Sequence, residues 1–248
     1  MVNGAEQTMP SQPPADLSRA QRFFGIFTDP VETFAAIARK PDFWAPLIAL
    51  IVFVIAITEL MLHRISMEEI VRRSIEMSGR ANSMTPEQMQ KAVEQGAKIG
   101  AIFAHLGFVS MVIVVLIVAA LGMLILKLVF GHPVGFKTAF SISTYAYLPT
   151  IIGAILGMIV IALGDPASFN PQNIAPTNVG FFLSQQTTSR PLYSIATSID
   201  FFTFWVLGLL GIGFAAATER KARPRSVFFC FFGLWVIWVL IKAGLAAI

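Results

Sequence analysis

The stretch Ile99–Leu126, IGAIFAHLGFVSMVIVVLIVAALGMLIL, decides the fold. It contains no Asp, Glu, Lys or Arg. A helix rising about 1.5 Å per residue needs roughly 20 apolar residues to cross a hydrocarbon core about 30 Å thick. This stretch is longer than that, so it reads as a membrane span that tilts or protrudes. A soluble helix would alternate apolar and polar faces, and none is visible here.

Working outward, four more segments have the same character. They are Phe43–Leu62, Thr138–Leu163, Ile199–Ala217 and the run after Arg225, here taken as 226–247. The first is interrupted only by Glu59, the fourth opens on Asp200, and the fifth carries Lys242 close enough to its end to snorkel. The expected fold is therefore all-α: a polytopic bundle of five transmembrane helices preceded by N-terminal amphipathic interfacial helices. Three units follow: a disordered tail (1–16), interfacial helices (17–42) and the membrane domain (43–248). Composition agrees. The 248 residues are 56% hydrophobic and 13% charged, against roughly a quarter charged in soluble domains. The net charge of +4 fits a membrane protein and makes no case for nucleic acid.

Met1–Asp16 is polar and Pro-rich, with neither the basic start nor the apolar core of a signal peptide. Beyond it, Leu17–Phe27 mixes Arg19 and Arg22 with Phe23, Phe24, Ile26 and Phe27. Asp29-Pro30-Val31-Glu32 then supplies an N-cap, a proline at the first helical position and a carboxylate in the first turn. Arg39 and Lys40 sit at the negative end of that helix, and Pro41 stops it. The expectation is two helices in the membrane surface, with Arg19, Arg22, Phe23, Phe24, Arg39 and Lys40 in contact with lipid. The alternative is a helix packed on the spans.

Between the first two spans, Thr85-Pro86-Glu87-Gln88 is a capping box that starts a helix. Its expected course is unbroken through Ala97 into the second span, making a long hairpin that turns near Ser78–Met84 and stands above the membrane. Its alternating charges read as a solvated face. Gly164–Ser189 is rich in Asn, Gln, Thr, Ser and Pro and reads as a loop covering the bundle.

Ionisable groups at membrane depth suggest function by default. Glu59 and His63 lie one turn apart at the outer end of the first span, and His105 begins the second at similar depth. Together with Asp200 they are the candidate polar residues for a transport or channel site, against interfacial hydrogen bonding and, for Asp200, capping of the fourth span. No metal-binding spacing, nucleophile elbow, phosphate loop or dinucleotide fingerprint is present, so no catalytic residue, metal or cofactor is expected. Cys230, the single cysteine, lies in an apolar run. Gly153, Gly157, Gly208, Gly211 and Gly213 read as helix-packing positions, within the chain or in a homo-oligomer. Pro149 is expected to kink the third span or mark its start.

Three stretches resemble the Yip1 family in its bacterial branch. The first is Phe27-Thr28-Asp29-Pro30 through Ile37, Pro41 and Trp44-Ala45-Pro46-Leu47. The second is Gly131 through Phe136, Phe140-Ser141-Ile142 and Tyr145-Ala146-Tyr147-Leu148-Pro149. The third is Ser198-Ile199-Asp200-Phe201-Phe202 with Trp205 and Leu209-Leu210-Gly211-Ile212-Gly213. The resemblance implies a compact five-helix bundle with a cytoplasmic N-terminus and, from the bacterial branch, an inner-membrane location. Eukaryotic members bind Rab-type GTPases in vesicle traffic. Their cytoplasmic motif is not matched here, so that partner is not carried over. Lys and Arg in the N-terminal segment, in the loop holding Lys127 and Lys137, and at Arg220, Lys221, Arg223 and Arg225 agree with an N-terminus inside and a C-terminus in the periplasm. The functional expectation is a non-enzymatic scaffold or adaptor, with a small transporter or channel as the alternative.

Overall fold

The computed structural model describes residues 17–165, 170, 173–219 and 221–247. The expected tail, 1–16, and Arg220 lie outside the described residues.

Local capping sets most helix starts. α1 (Arg19–Thr28) opens on Ser18, whose hydroxyl accepts from the Gln21 amide while the Gln21 side chain accepts from the Ser18 amide. α2 (Pro30–Arg39) opens on Asp29, whose carboxylate accepts from the Glu32 amide, with Pro30 where a missing N–H costs nothing. α3 (Trp44–Arg64) is the first span. Ser66 caps α4 (Met67–Met77), and Gly79, at φ 74°, turns the chain through a 3₁₀ segment, Arg80–Ser83. Thr85 and Gln88 form the expected reciprocal cap at the start of α5 (Pro86–His105).

Here the structure departs from expectation. α5 does not run unbroken into the second span: it ends at His105, and α6 (Gly107–Leu128) begins anew after Leu106 at φ −86°, ψ 4°. The Val109 amide bonds back only three residues, to the Leu106 carbonyl. Glycine at 107 is the least costly place for such a break, because its helical state is already disfavoured relative to Ala by roughly 0.5–1 kcal/mol.

The third span is likewise two helices, α7 (Phe136–Ala146) and α8 (Thr150–Leu163), joined through Tyr147, Leu148 and Pro149. Proline has no amide to donate, and the join is held by bonds of three-residue spacing and by the Thr150 hydroxyl on the Tyr147 carbonyl at 2.7 Å. In the following loop, a 3₁₀ segment (Val179–Phe182) and α9 (Arg190–Ser198) lead to α10 (Phe201–Ala216) and α11 (Pro224–Leu245). Asn178 caps the 3₁₀ segment and its backbone pairs with Asp200, which seats the loop on the start of α10.

Among the described residues the chain is helical without strands, and four helical spans are long and apolar enough to cross a membrane: Trp44–Arg64, Gly107–Leu128, Phe136–Leu163 and Pro224–Leu245. The fifth apolar helix, Phe201–Ala216, is shorter. At the centre of the bundle lies α7, where Ala139–Ala146 are all buried among α2, α3, α6 and α10. The inner side of α2 (Thr33, Phe34, Ala36, Ile37) is covered by α7 and α10, while Val31, Arg39 and Lys40 stay exposed.

Glycine allows the closest approaches. A Cβ at Gly213 would stand 2.8 Å from the Phe34 ring, one at Gly211 2.9 Å from the Pro224 carbonyl oxygen, and one at Gly153 3.0 Å from the Phe202 ring. Gly157 similarly faces Ile57 at 3.0 Å. Gly208 has no packing role within the chain: nothing among the described residues comes within 4 Å of where its Cβ would be. Gly122, not singled out from sequence, receives the buried Phe214 ring directly.

Candidate functional site

Of the four polar residues expected at membrane depth, the structure joins two. The Glu59 carboxylate near the end of α3 lies 3.3 Å from His105 Nε2 at the end of α5. The other ring nitrogen, Nδ1, is 2.7 Å from the Ala101 carbonyl oxygen. A carbonyl only accepts, so the tautomer that fits this contact is the one with Nδ1–H donating. The helix break after His105 holds the ring at this point, between the hairpin and the span. Both side chains are just over half exposed. The space between them, lined by Val54, Ile55, Thr58, Glu59, Ala104, His105 and Phe108, is only about 10 Å³, enough for about one water.

His63 and Asp200 do not line this space. His63 is exposed one turn beyond Glu59. Asp200 caps α10, accepting from the Thr203 amide at 3.0 Å, and borders an apolar groove of about 420 Å³ with Val179, Phe182, Leu183, Phe201 and Phe204. No group of three or more His, Cys, Asp or Glu among the described residues is placed to hold a metal ion.

The N-terminal face is built differently from the lipid-facing row expected of it. Arg19 is exposed and pairs with Asp42 at 2.7 Å. Arg22, expected at the lipid surface, is instead 4% exposed. Its guanidinium donates to the Lys40 carbonyl at 2.6 Å and the Leu17 carbonyl at 3.1 Å, closing α1 over the end of α2. The fully buried Tyr145 lies within electrostatic reach of Asp42, Arg22 and Arg19, and its hydroxyl and that of Ser143 have no hydrogen-bond partner among the described residues. Phe23 is half-buried against the core, while Phe24, Arg39 and Lys40 face outward with Trp44.

Two further arginines were not singled out from sequence. Arg64 donates to the carbonyls of Ile161 (3.2 Å) and Gly164 (3.1 Å), satisfying the end of α8 from the end of α3. Arg190 donates to the Ser78 carbonyl at 2.7 Å, tying the hairpin tip to the start of α9. Both contacts join residues about a hundred positions apart, which no local pattern reveals.

The order of these features along the chain matches a described family. The Yip1 domain model covers residues 24–243, from the middle of α1 almost to the end of α11. The chain belongs to the Yip1 family. No curated protein and no solved structure shows significant similarity to it. As a Yip1-domain protein with several apolar spans, it is an integral, multi-pass membrane protein in contact with the lipid bilayer. The stretches that resemble the Yip1 family have structural places here. Phe34 and Ile37 pack beneath α2, Phe140–Tyr145 form the buried helix, and Gly213 lets Phe34 and Ile142 meet α10.

Proposed function

We propose that this Yip1-family protein is a non-enzymatic membrane scaffold or adaptor that binds another membrane protein or anionic lipid through its N-terminal face. The observation that carries the reading is the outer side of α1 and α2: Arg19, Phe24, Arg39 and, just past the end of α2, Lys40 are all exposed, beside Trp44 at the start of α3, and Arg22 with the core residues Phe34 and Ile37 holds the two helices against the bundle. A rigid basic-aromatic surface suits phosphate headgroups or an acidic partner segment. The Lys and Arg distribution supports a cytoplasmic N-terminus and a C-terminus on the opposite side, and the resemblance to the bacterial branch of the Yip1 family supports a bacterial inner-membrane location.

The test is affinity purification from crosslinked native membranes, comparing wild type with Arg19→Gln/Arg39→Gln/Lys40→Gln. A stoichiometric protein partner, or retained anionic lipid, lost in the triple variant is expected. Unchanged partners and unchanged lipid would remove this role from the surface. Recovery of the chain alone, or only with copies of itself, would favour the transport reading below.

A small transporter or channel is the second reading, favoured by the meeting of Glu59 with His105. Its check is flux in liposomes: loss in both Glu59→Gln and His105→Ala, with folding intact, would favour it over the scaffold.

A further inference from the structure

The end of α5 and Leu106 after it carry an apolar stripe that the described residues leave uncovered. Ile99, Ile102, Phe103 and Leu106 are 57%, 62%, 69% and 46% exposed, and their spacing places them on one side of the helix. α5 meets α4 with a different side, where Gly96 faces Val71 and Gly100 faces Met67. Glu94, Lys91 and Lys98 are exposed on the remaining side. Across the break at Leu106, the stripe continues into the outward residues of α6, Val109, Ile113, Val114 and Ile117, which form the lipid-facing side of a span.

Length decides how the stripe can be covered. α6 has 22 residues, about 33 Å of helix, which already fills a hydrocarbon core about 30 Å thick. If α5 stood upright above it, Ile99 would rise about 10 Å beyond Leu106, and Ile102 and Phe103 would project into headgroups and water. A bend at Leu106–Gly107 instead lets all four side chains stay at one level. The hairpin tip, moreover, does not stand free: the Ser78 carbonyl is held by Arg190.

We propose that the α4–α5 hairpin lies along the bilayer surface, with Ile99, Ile102, Phe103 and Leu106 seated at the boundary between headgroups and acyl chains. Lys98 then reaches toward lipid phosphates from the flank, as on surface-lying amphipathic helices. The occupant of the stripe is phospholipid, and the element anchors in one leaflet without crossing. This surface is separate from α1 and α2, so the proposal stands or falls independently of the adaptor reading.

The experiment uses the full chain with Cys230→Ser, which removes the single native thiol. Single cysteines at 99, 102, 103 and 106, and at 91 and 94 on the polar side, are labelled with an environment-sensitive fluorophore. The proteins are reconstituted in phosphatidylethanolamine–phosphatidylglycerol vesicles, and depth is read from quenching by lipids spin-labelled at two heights. The four stripe positions should report a common shallow depth, about 5–10 Å into the boundary, with 91 and 94 in water. A depth that falls by about 1.5 Å per residue from 106 to 99 would mean an upright helix and overturn the proposal, as would water-like signals at 99 and 103. Modification of the unlabelled cysteines by a water-soluble maleimide in native membranes gives a second measurement, independent of the fluorophore. Slow reaction at 99, 102, 103 and 106 with fast reaction at 91 and 94 agrees with a surface-lying hairpin, and fast reaction throughout overturns it.

Discussion

Arg22 Nη1 donates to the carbonyl oxygen of Lys40 across 2.6 Å, linking the start of α1 to the end of α2. A helix end leaves carbonyls without partners, and a buried guanidinium can serve one of them while its other nitrogens serve a second segment. The Leu17 carbonyl is that second partner here. The N-terminal helices are thus held by a charged clamp as well as by the apolar packing of Phe34 and Ile37.

That clamp predicts a sharp contrast between neighbours. Arg22→Gln is expected to destabilise the N-terminal hairpin by about 1.5–3 kcal/mol, the range for hydrogen bonds to a charged group. Arg22→Lys should recover little, since a point charge cannot span both carbonyls. Arg19→Gln, losing one exposed ion pair, should change stability by about 1 kcal/mol or less. Limited proteolysis in detergent, followed through the α1–α2 junction, measures all three.

Glycine substitutions should divide by contact and not by position in a motif. Gly213→Ala forces a methyl against Phe34 and Ile142 and is expected to cost about 1–3 kcal/mol as overpacking. Gly208→Ala meets open space and should be neutral or stabilising by up to about 1 kcal/mol through helix propensity. Thermal unfolding in detergent gives the order, and equal losses at both sites would contradict the packing described.

The contact between Glu59 and His105 calls for a double-mutant cycle. With both side chains more than half exposed, a coupling of only about 0.2–1 kcal/mol is expected between Glu59→Gln and His105→Ala. Glu59→Gln paired with His63→Ala should show none. A comparable coupling to His63 would place the wrong histidine opposite the carboxylate.

Asp200 separates capping from transport. Asn caps nearly as well as Asp, so Asp200→Asn should leave stability almost unchanged, whereas Asp200→Ala should cost about 1 kcal/mol. If a flux is found in liposomes and Asp200→Asn abolishes it while the protein remains folded, the carboxylate charge is used for more than the cap.

Much of the architecture was legible because its causes are local. Apolar runs long enough to cross a bilayer show in any window of the chain, and caps such as Asp29 with Pro30, Thr85 with Gln88, and Asp200 are complete within four residues. The break at Leu106 was not legible, because an apolar composition continues through it and a single glycine at 107 is compatible with an unbroken helix. Nor was α9 visible, a nine-residue helix between the turn-rich Gly164–Ser189 and the next apolar run. It is held by packing on α11 and the 3₁₀ segment, and by Lys242 Nζ donating to the Ser198 hydroxyl at 3.0 Å.

The candidate site was legible only as a set of residue types. Glu59, His63, His105 and Asp200 were each visible as polar groups in apolar surroundings, and the Yip1-family character was carried by motifs spread along the chain. Which of them meet depends on how α3, α5 and α10 are arranged, and that arrangement comes from contacts between distant segments: Phe214 on Gly122, Phe34 and Ile142 on Gly213, Arg64 on the end of α8. Hydropathy and capping act over a few residues and so are written in the local order of amino acids. The facing of Arg22 inward, the pairing of Glu59 with His105, and the open space at Gly208 are decided by which helix lies alongside, and only the packed bundle shows them.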